Sequence, residues 1–203
     1  MLEKSLVENH RKGERTNSGS LGKVKIKRDA ENKTPLIVFL VQYLLGRLGR
    51  KVNAQTYRFS EYFEGFDQVE VVRKIFGNET EKILNETKIE FVSRMGYMGV
   101  SDIDGHIIVS ADYLKHGDLR HIYLDIIHEL VHVKQFREGK KLFDRRYGYT
   151  ERVTEIEAYQ YAVDEARNIG MNDEEIFQYL KTEWISSEKH RKLAETLNVK
   201  VRE

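Results

Sequence analysis

The chain has 203 residues, of which 40% are hydrophobic and 10% aromatic, enough apolar material for one packed domain or for one domain with an extension. Its 34 basic and 33 acidic side chains nearly cancel, so the charge balance does not indicate nucleic acid or an acidic membrane as a partner. The absence of cysteine excludes disulfides, thiolate metal sites and cysteine nucleophiles, and it leaves histidine and carboxylate as metal ligands.

Residues 1–35 are predicted to form a mobile extension with a mild basic excess. Residues 1–20 are polar and lack the apolar stretch of a secretory signal. Residues 21–28 alternate apolar and basic side chains, which is typical of a short strand or a basic arm. A charge excess of this size is more common in solvated segments than in nucleic-acid sites, so we expect no nucleic-acid partner.

Residues 36–86 are predicted to form a helical region. The apolar run after Pro35 predicts a buried helix to about Leu48, and it is far shorter than the roughly 20 residues of a membrane-spanning helix. A second helical pattern covers residues 66–83 and is interrupted near Gly77. With neither a signal nor a membrane segment, we expect a cytoplasmic protein that does not bind membranes.

The pattern changes to strands in the middle of the chain. Ile89 and Phe91 alternate with charged residues and predict one strand, and residues 106–110 predict a second, short β-branched strand. Turns are predicted at 95–99 and at 102–105, where glycine recurs.

Helices are predicted for the rest of the chain. Asp118 is expected to cap a helix from Leu119 to about Arg137, with Gly139 as its stop. The other helices are predicted at 151–168, from 172 to about 184, with Trp184 in the core, and from 186 or 187 to 197. Strands followed by helices predict an α+β domain, which we place at residues 87–203.

Residues 128–132 read H-E-x-x-H within the helix predicted to start at Leu119. His128 and His132 share a helix face, so both imidazoles can bind one ion, while Glu129 can take a proton from water and later return it to the leaving amine. Apolar residues surround the motif and predict a buried helix, in which these polar groups are costly unless something satisfies them. We therefore predict a zinc ion (Zn2+) here, with Glu129 as general base.

A zinc site needs a third protein ligand, and the helix predicted at 151–168 offers Glu151, Glu155 and Glu157. Glu155 lies on an apolar stripe that is expected to face the core, whereas Glu157 lies on a mostly polar face. We predict Glu155 as the third ligand, with Glu157 as the alternative.

These segments resemble the gluzincin metallopeptidases, in particular the ImmA/IrrE-like members and the archaeal minigluzincins. The H-E-x-x-H sequence matches the first motif of that family, and Glu155 and Ala158 match the glutamate and alanine of the second motif, E-x-x-A. The resemblance covers about residues 88–170. It implies a zincin-like α+β fold, in which a small β-sheet packs on the active-site helix and the C-terminal half is helical.

The resemblance also implies what the domain does. It implies zinc-dependent hydrolysis of peptide bonds in a peptide or protein substrate, held in extended form along a strand that precedes the active-site helix. Residues 106–110 match that strand in chain order. Tyr159 stands where the family often has an aspartate or asparagine that supports the first zinc histidine, so support for His128 is expected from Asp125 or from a backbone carbonyl.

The family further needs a hydrogen-bond donor for the developing oxyanion. Tyr149 and Arg152 are closest in sequence to the third ligand and are preferred over Tyr147 and His121. Two other functions remain open at this point. The chain can be a zinc-binding regulatory protein with little or no proteolysis, or a helical protein without metal that binds a partner or nucleic acid.

Overall fold

The computed structural model describes residues 56–93 and 96–201. The predictions for the N-terminal extension, for residues 21–28 and for the helix after Pro35 lie outside these residues. No helix within the described ranges has the length and apolar character needed to cross a membrane.

Within the described residues, the segment from Thr56 to Glu86 is mainly helical. Strand β1 comes first and three short helices follow: β1 (Thr56–Arg58), α1 (Phe59–Tyr62), α2 (Glu70–Phe76) and α3 (Thr80–Glu86). The predicted interruption near Gly77 is confirmed, because Gly77 has a φ of 59° and begins a one-turn 3-10 helix between α2 and α3. Strand β1 was not predicted, since three residues are too few for a period to show.

Four strands form one mixed sheet: β1, β2 (Lys88–Val92), β3 (Met98–Val100) and β4 (Ile107–Ser110), in the order β1-β2-β4-β3. The central pair β2 and β4 is parallel, and both outer pairs are antiparallel. Because β1 pairs with β2, residues on both sides of the predicted boundary at residue 86 belong to the same sheet.

The strands predicted around Ile89 and at 106–110 are confirmed, but two other expectations about the sheet are wrong. The predicted turn at 95–99 overlaps β3, because pairing of Met98 with Val109 of β4 makes this short, glycine-containing segment a strand. The expectation that 106–110 offers a free edge fails because β4 is paired on both sides. Strand β3 is the outer strand on that side of the described sheet.

The remaining helices are α4 (Ala111–His116), α5 (Leu119–Arg137), α6 (Val153–Asn168), α7 (Asp173–Tyr179) and α8 (Ser187–Thr196). Asp118 caps α5 by accepting the backbone N–H groups of Arg120 and His121 at 2.9 and 3.2 Å, and Gly139 follows the helix with a φ of 74°. The predicted bounds of α5 are therefore confirmed.

The helix predicted from 172 to 184 ends earlier, at Tyr179. Trp184 lies in the loop after it and is 57% exposed, so the expectation of a core position is wrong. Its indole instead packs against the rings of Tyr97 and Tyr149, with ring centres 5.8 and 5.9 Å away.

Helix α5 is the central element of the described core. Helix α6 packs along it, and α2 and β3 contact it from other directions. An apolar surface on all sides suits a helix that is covered on all sides, and its middle turns are buried as predicted. The fold is thus α+β, with a small sheet and mainly helical content, and it holds the H-E-x-x-H segment inside the core.

Candidate metal centre

Two helices bring three potential metal ligands together. His128 and His132 lie one turn apart on α5, with their Nε2 atoms 3.0 Å apart, and Glu155 lies in the first turn of α6. The Oε2 atom of Glu155 is 3.4 Å from each Nε2 atom. All three residues are buried, and in the described part of the chain they form the group able to hold a metal ion.

The spacing and chemistry of these donors fit a zinc ion. Donors bonded to one ion at about 2.0–2.1 Å in a tetrahedron lie about 3.3 Å apart, close to the observed separations of 3.0 and 3.4 Å. Two imidazole nitrogens and one carboxylate oxygen are ligands that zinc accepts. Three protein ligands leave a fourth position for another group.

At neutral pH this group carries a proton on His132, which a metal ion would displace. Burial raises the pKa of Glu155, but hydrogen bonds and charge from both histidines outweigh burial and bring the pKa down to about 2. Burial lowers the pKa of His132, but Glu155, Glu129 and Gln135 outweigh it and raise the pKa to about 9. Burial keeps the pKa of His128 below its ordinary value. A proton and a metal ion therefore compete for the same place beside His132.

Gln135 orients the ring of His132 through a contact at Nδ1, the nitrogen that faces away from the cluster. The Nδ1 atom of His132 is 2.8 Å from the Oε1 atom of Gln135, whose amide nitrogen donates to the Thr154 carbonyl at 3.0 Å and to Glu157 at 2.9 Å. Because the amide nitrogen is committed to these acceptors, the amide oxygen accepts from Nδ1–H of His132. The Nε2 atom then points its lone pair at the cluster when His132 is neutral.

Sequence reasoning missed Gln135, although a signal was present. Gln135 follows His132 by three residues, and side chains at that spacing lie on the same face of a helix. It is completely buried, which a lone amide side chain seldom is without several hydrogen bonds.

Of the candidates for the third ligand, the structure brings Glu155 into the cluster and leaves the other two outside it. Glu157 turns toward Gln135 and toward Lys140, whose Nζ atom is 2.9 Å from its carboxylate. Glu151 lies on a one-turn 3-10 helix before α6 and pairs with Lys192 at 3.3 Å. Residues two apart on a helix point in nearly opposite directions, which separates Glu155 from Glu157.

Glu129 lies beside the cluster, and one of its oxygens, Oε2, is buried with no hydrogen-bond partner within residues 56–93 and 96–201. Burial raises the pKa of its carboxyl to about 8; the charge of His132 opposes this rise, and the charges of Glu155 and Asp125 add to it. A carboxyl with an uncommitted oxygen and a pKa near neutral can both accept and donate a proton.

A cavity of about 180 Å³ opens next to His128 and Glu129. Tyr149 lines it and shares a hydrogen bond of 2.8 Å with the hydroxyl of Tyr159. Six aromatic side chains other than histidine contribute to its wall: Tyr97, Tyr113, Tyr149, Tyr159, Tyr179 and Trp184.

The candidate oxyanion donors fall in different places. Tyr149 and His121 line the cavity, whereas Tyr147 is half exposed and stacks against an arginine outside it. Arg152 is not part of the cavity lining; its Nη1 atom is 3.9 Å from Oε1 of Glu155, and its guanidinium is 6.0 Å from the centre of the Tyr149 ring. Of the two preferred residues, Tyr149 therefore reaches the cavity and Arg152 contacts a candidate ligand.

The expected hydrogen-bond support for His128 is not found among the described residues. Asp125 accepts from the hydroxyl of Tyr113 at 2.5 Å, and the Nδ1 atom of His128 is buried without a hydrogen-bond partner in that part of the chain. The His128 ring is held by packing instead, with ring centres 4.3 Å from Tyr159 and 4.6 Å from His132. Tyr159 thus contacts His128 through its ring and directs its hydroxyl to Tyr149.

Fold and site together define an α+β protein with a buried His-His-Glu group beside an aromatic cavity. Comparison of the chain with protein-family profiles, with curated proteins and with solved structures finds no significant match. The resemblance to the gluzincins therefore stays a prediction that rests on two short motifs.

Proposed function

We propose that this protein is a zinc-dependent metallopeptidase that hydrolyses peptide bonds in peptide or protein substrates. The observation that carries the proposal is the convergence of two Nε2 atoms and one Oε2 atom, from His128, His132 and Glu155, beside the unpartnered oxygen of Glu129. Three protein ligands that adjoin a cavity are typical of catalytic zinc sites, whereas structural sites are closed by four.

The residues of the site have separate roles in this reaction. His128, His132 and Glu155 would hold zinc, which, when bound, polarises a carbonyl group and makes water nucleophilic near neutral pH. Glu129 takes a proton from the attacking water and gives it to the leaving amine. The Tyr149 hydroxyl can donate to the carbonyl oxygen as negative charge develops there.

In this proposal, an extended substrate would add to strand β3. It is an outer strand of the described sheet, and its first residue, Met98, lines the cavity. A peptide that adds to such an edge gains main-chain hydrogen bonds while one of its peptide bonds lies at the cluster.

The deciding experiment measures zinc content and cleavage of a broad peptide library on the same preparations. We expect about one zinc per chain in the wild type, together with cleavage that a chelator abolishes. Glu129→Gln should keep its zinc and lose cleavage by about 100- to 10,000-fold. Absence of zinc after reconstitution would overturn the proposal.

One observation favours a second function, a zinc-binding regulatory protein with little or no proteolysis. The Nδ1 atom of His128 lacks the hydrogen bond that usually orients a zinc-binding histidine, and losing such support costs about 10- to 100-fold in affinity or activity. The same measurement separates the two functions. Stoichiometric zinc without cleavage of any peptide, with or without residues 1–35, would favour the regulatory protein.

A further inference from the structure

Asp125 lies on α5 one turn before His128 and forms part of the cavity wall. Its Oδ2 atom accepts from the Tyr113 hydroxyl at 2.5 Å. No lysine or arginine in the described ranges forms an ion pair with it, so this carboxyl has a hydrogen-bond donor but no counter-charge. A recessed carboxylate without a cationic partner is costly, and a cationic ligand would offset that cost.

The walls around Asp125 suit an organic cation. The rings of Tyr113 and Tyr179 belong to the same cavity, and Tyr97 and Trp184 lie against each other at its exposed rim. Aromatic faces attract ammonium and guanidinium groups and also accept the methylene groups that carry them. Carboxylate and rings together therefore match a basic side chain better than an acidic or a purely aliphatic one.

The position and size of the cavity place such a side chain next to the scissile bond. Three residues along a helix correspond to about 4.5 Å, and one residue of an extended peptide spans about 3.3 Å. Asp125 is therefore within one or two peptide residues of the cluster at His128. The volume of about 180 Å³ is below the range of about 300–1,000 Å³ for small-molecule sites, and suits a single side chain.

We infer that the protein selects substrates with a lysine or arginine adjacent to the scissile bond, bound by Asp125 and the aromatic walls of this cavity. The inference rests on the peptidase function proposed above. Burial raises the pKa of Asp125 to about 6, with the hydroxyls of Tyr113 and Tyr179 limiting the rise, so the carboxyl is ionised at neutral pH. Lys181 also lines the cavity, is exposed, and weakens binding of a cation by like-charge repulsion.

Binding can be tested without any cleavage, because Trp184 is the single tryptophan of the chain and lines the cavity. Its fluorescence is titrated with N-acetyl-arginine amide and with N-acetyl-norleucine amide, a neutral probe of similar length. The wild type should bind the arginine amide more tightly than the neutral probe. Asp125→Asn should lower the affinity for the arginine amide by about tenfold and leave the affinity for the neutral probe unchanged. The matched control Asp164→Asn, at an exposed position of α6, should behave as the wild type.

A second variant keeps the test valid if Asp125→Asn does not fold. Lys181→Ala removes a positive charge from the cavity and should raise the affinity for the arginine amide by roughly twofold. Equal binding of both probes to the wild type, or no weakening in folded Asp125→Asn, would overturn the inference. No tightening in Lys181→Ala would also count against it.

Cleavage then separates this inference from the proposed function. Peptides that differ only by lysine or norleucine next to the scissile bond are compared by kcat/KM. A preference for lysine that Asp125→Asn removes supports the inference, and equal cleavage of both peptides overturns it while the peptidase stands. If neither peptide is cleaved but the arginine amide binds through Asp125, the peptidase proposal fails and the cation site is supported.

Discussion

Two glutamates two positions apart on α6 have separate positions at the candidate metal centre. Glu155 contributes an oxygen 3.4 Å from both histidine Nε2 atoms, and Glu157 bonds to Gln135 and Lys140 instead. We predict that Glu155→Ala and His132→Ala lose stoichiometric zinc, because each removes one of three protein ligands. Glu157→Ala should retain it. Zinc content by atomic absorption checks this, and zinc kept in Glu155→Ala but lost in Glu157→Ala would reverse the assignment.

Gln135 should affect affinity without being a ligand. Its amide fixes the ring of His132 by the 2.8 Å contact at Nδ1, so Gln135→Ala frees that ring to rotate. We expect zinc affinity to fall by about 10- to 100-fold in competition with a chelator. Gln160→Ala, on the polar face of α6 where the Gln160 amide donates to Asp164, is the control and should leave the affinity unchanged. Equal losses in both variants would remove Gln135 from the site.

The pH dependence of metal-free protein reports the ion pair between His132 and Glu155. The pKa of His132 is raised from 6.5 to about 9, so its stabilisation is full below 6.5 and lost as pH rises through 9. The pKa of Glu155 is lowered from 4.5 to about 2, so that stabilisation is lost only below 4.5. The pKa of Glu129 is also raised, to about 8, so its contribution to the stability of the folded state is likewise lost as pH rises through 8.

We therefore predict that the melting temperature of chelated protein falls between about pH 6.5 and 9. Zinc-loaded protein should show a smaller fall, because the metal replaces the proton on His132 and binds more strongly when fewer protons compete. Thermal scans across this range, with Glu155→Gln as the variant that lacks the ion pair, test the prediction. A fall in chelated wild type no larger than that in Glu155→Gln would contradict it.

At the scale of single residues, spacing predicted part of the site. The i, i+4 positions of His128 and His132, and the core-facing stripe of Glu155, follow from helix geometry alone. The support of the histidines did not follow, since the contact of Tyr159 with His128 depends on how α6 lies against α5. The cavity position of Trp184 depends in the same way on a loop that returns to the sheet edge.

At the scale of elements, helix caps were the most informative signals. Asp118, Gly139 and Ser186 mark helix ends because they satisfy backbone groups locally, and the structure places them there. Strands β1 and β3 were missed because each has three residues, and each becomes a strand only by pairing with a distant segment.

The contribution of the α5 N-cap to the free energy of unfolding can be measured. Asp118→Ala removes the acceptor for two backbone N–H groups at the start of the helix that carries two candidate metal ligands. We expect a loss of about 1 kcal/mol in the free energy of unfolding, measured in urea, with zinc stoichiometry unchanged because His128 lies more than two turns away. Asp164→Ala, within α6 and exposed, should cost less. A larger loss in that control would exclude the cap as the cause.

At the scale of the whole described chain, the sheet and helices on both sides of residue 86 depend on each other. Strand β1 pairs with β2, and Phe59, Phe66 and Val72 are buried in the same core cluster as α5. We predict that a fragment of residues 87–203 does not fold cooperatively, because it exposes apolar surface on the sheet and on α5. Near-ultraviolet circular dichroism checks this. A sharp thermal transition of the fragment, with zinc bound, would show that residues 87–203 form an independent domain.

If the proposed peptidase binds its substrate along β3, the shortness of that strand sets the balance between holding a substrate and releasing it. A peptide that adds to a strand of three residues gains few main-chain hydrogen bonds, each with a net value of about 0.5–1.5 kcal/mol. For the proposed peptidase, such weak main-chain binding gives short residence times, so cleaved products dissociate quickly. Discrimination between sequences then depends on side-chain contacts made beside the strand, and a flexible, unfolded stretch of polypeptide is a better substrate than a folded one.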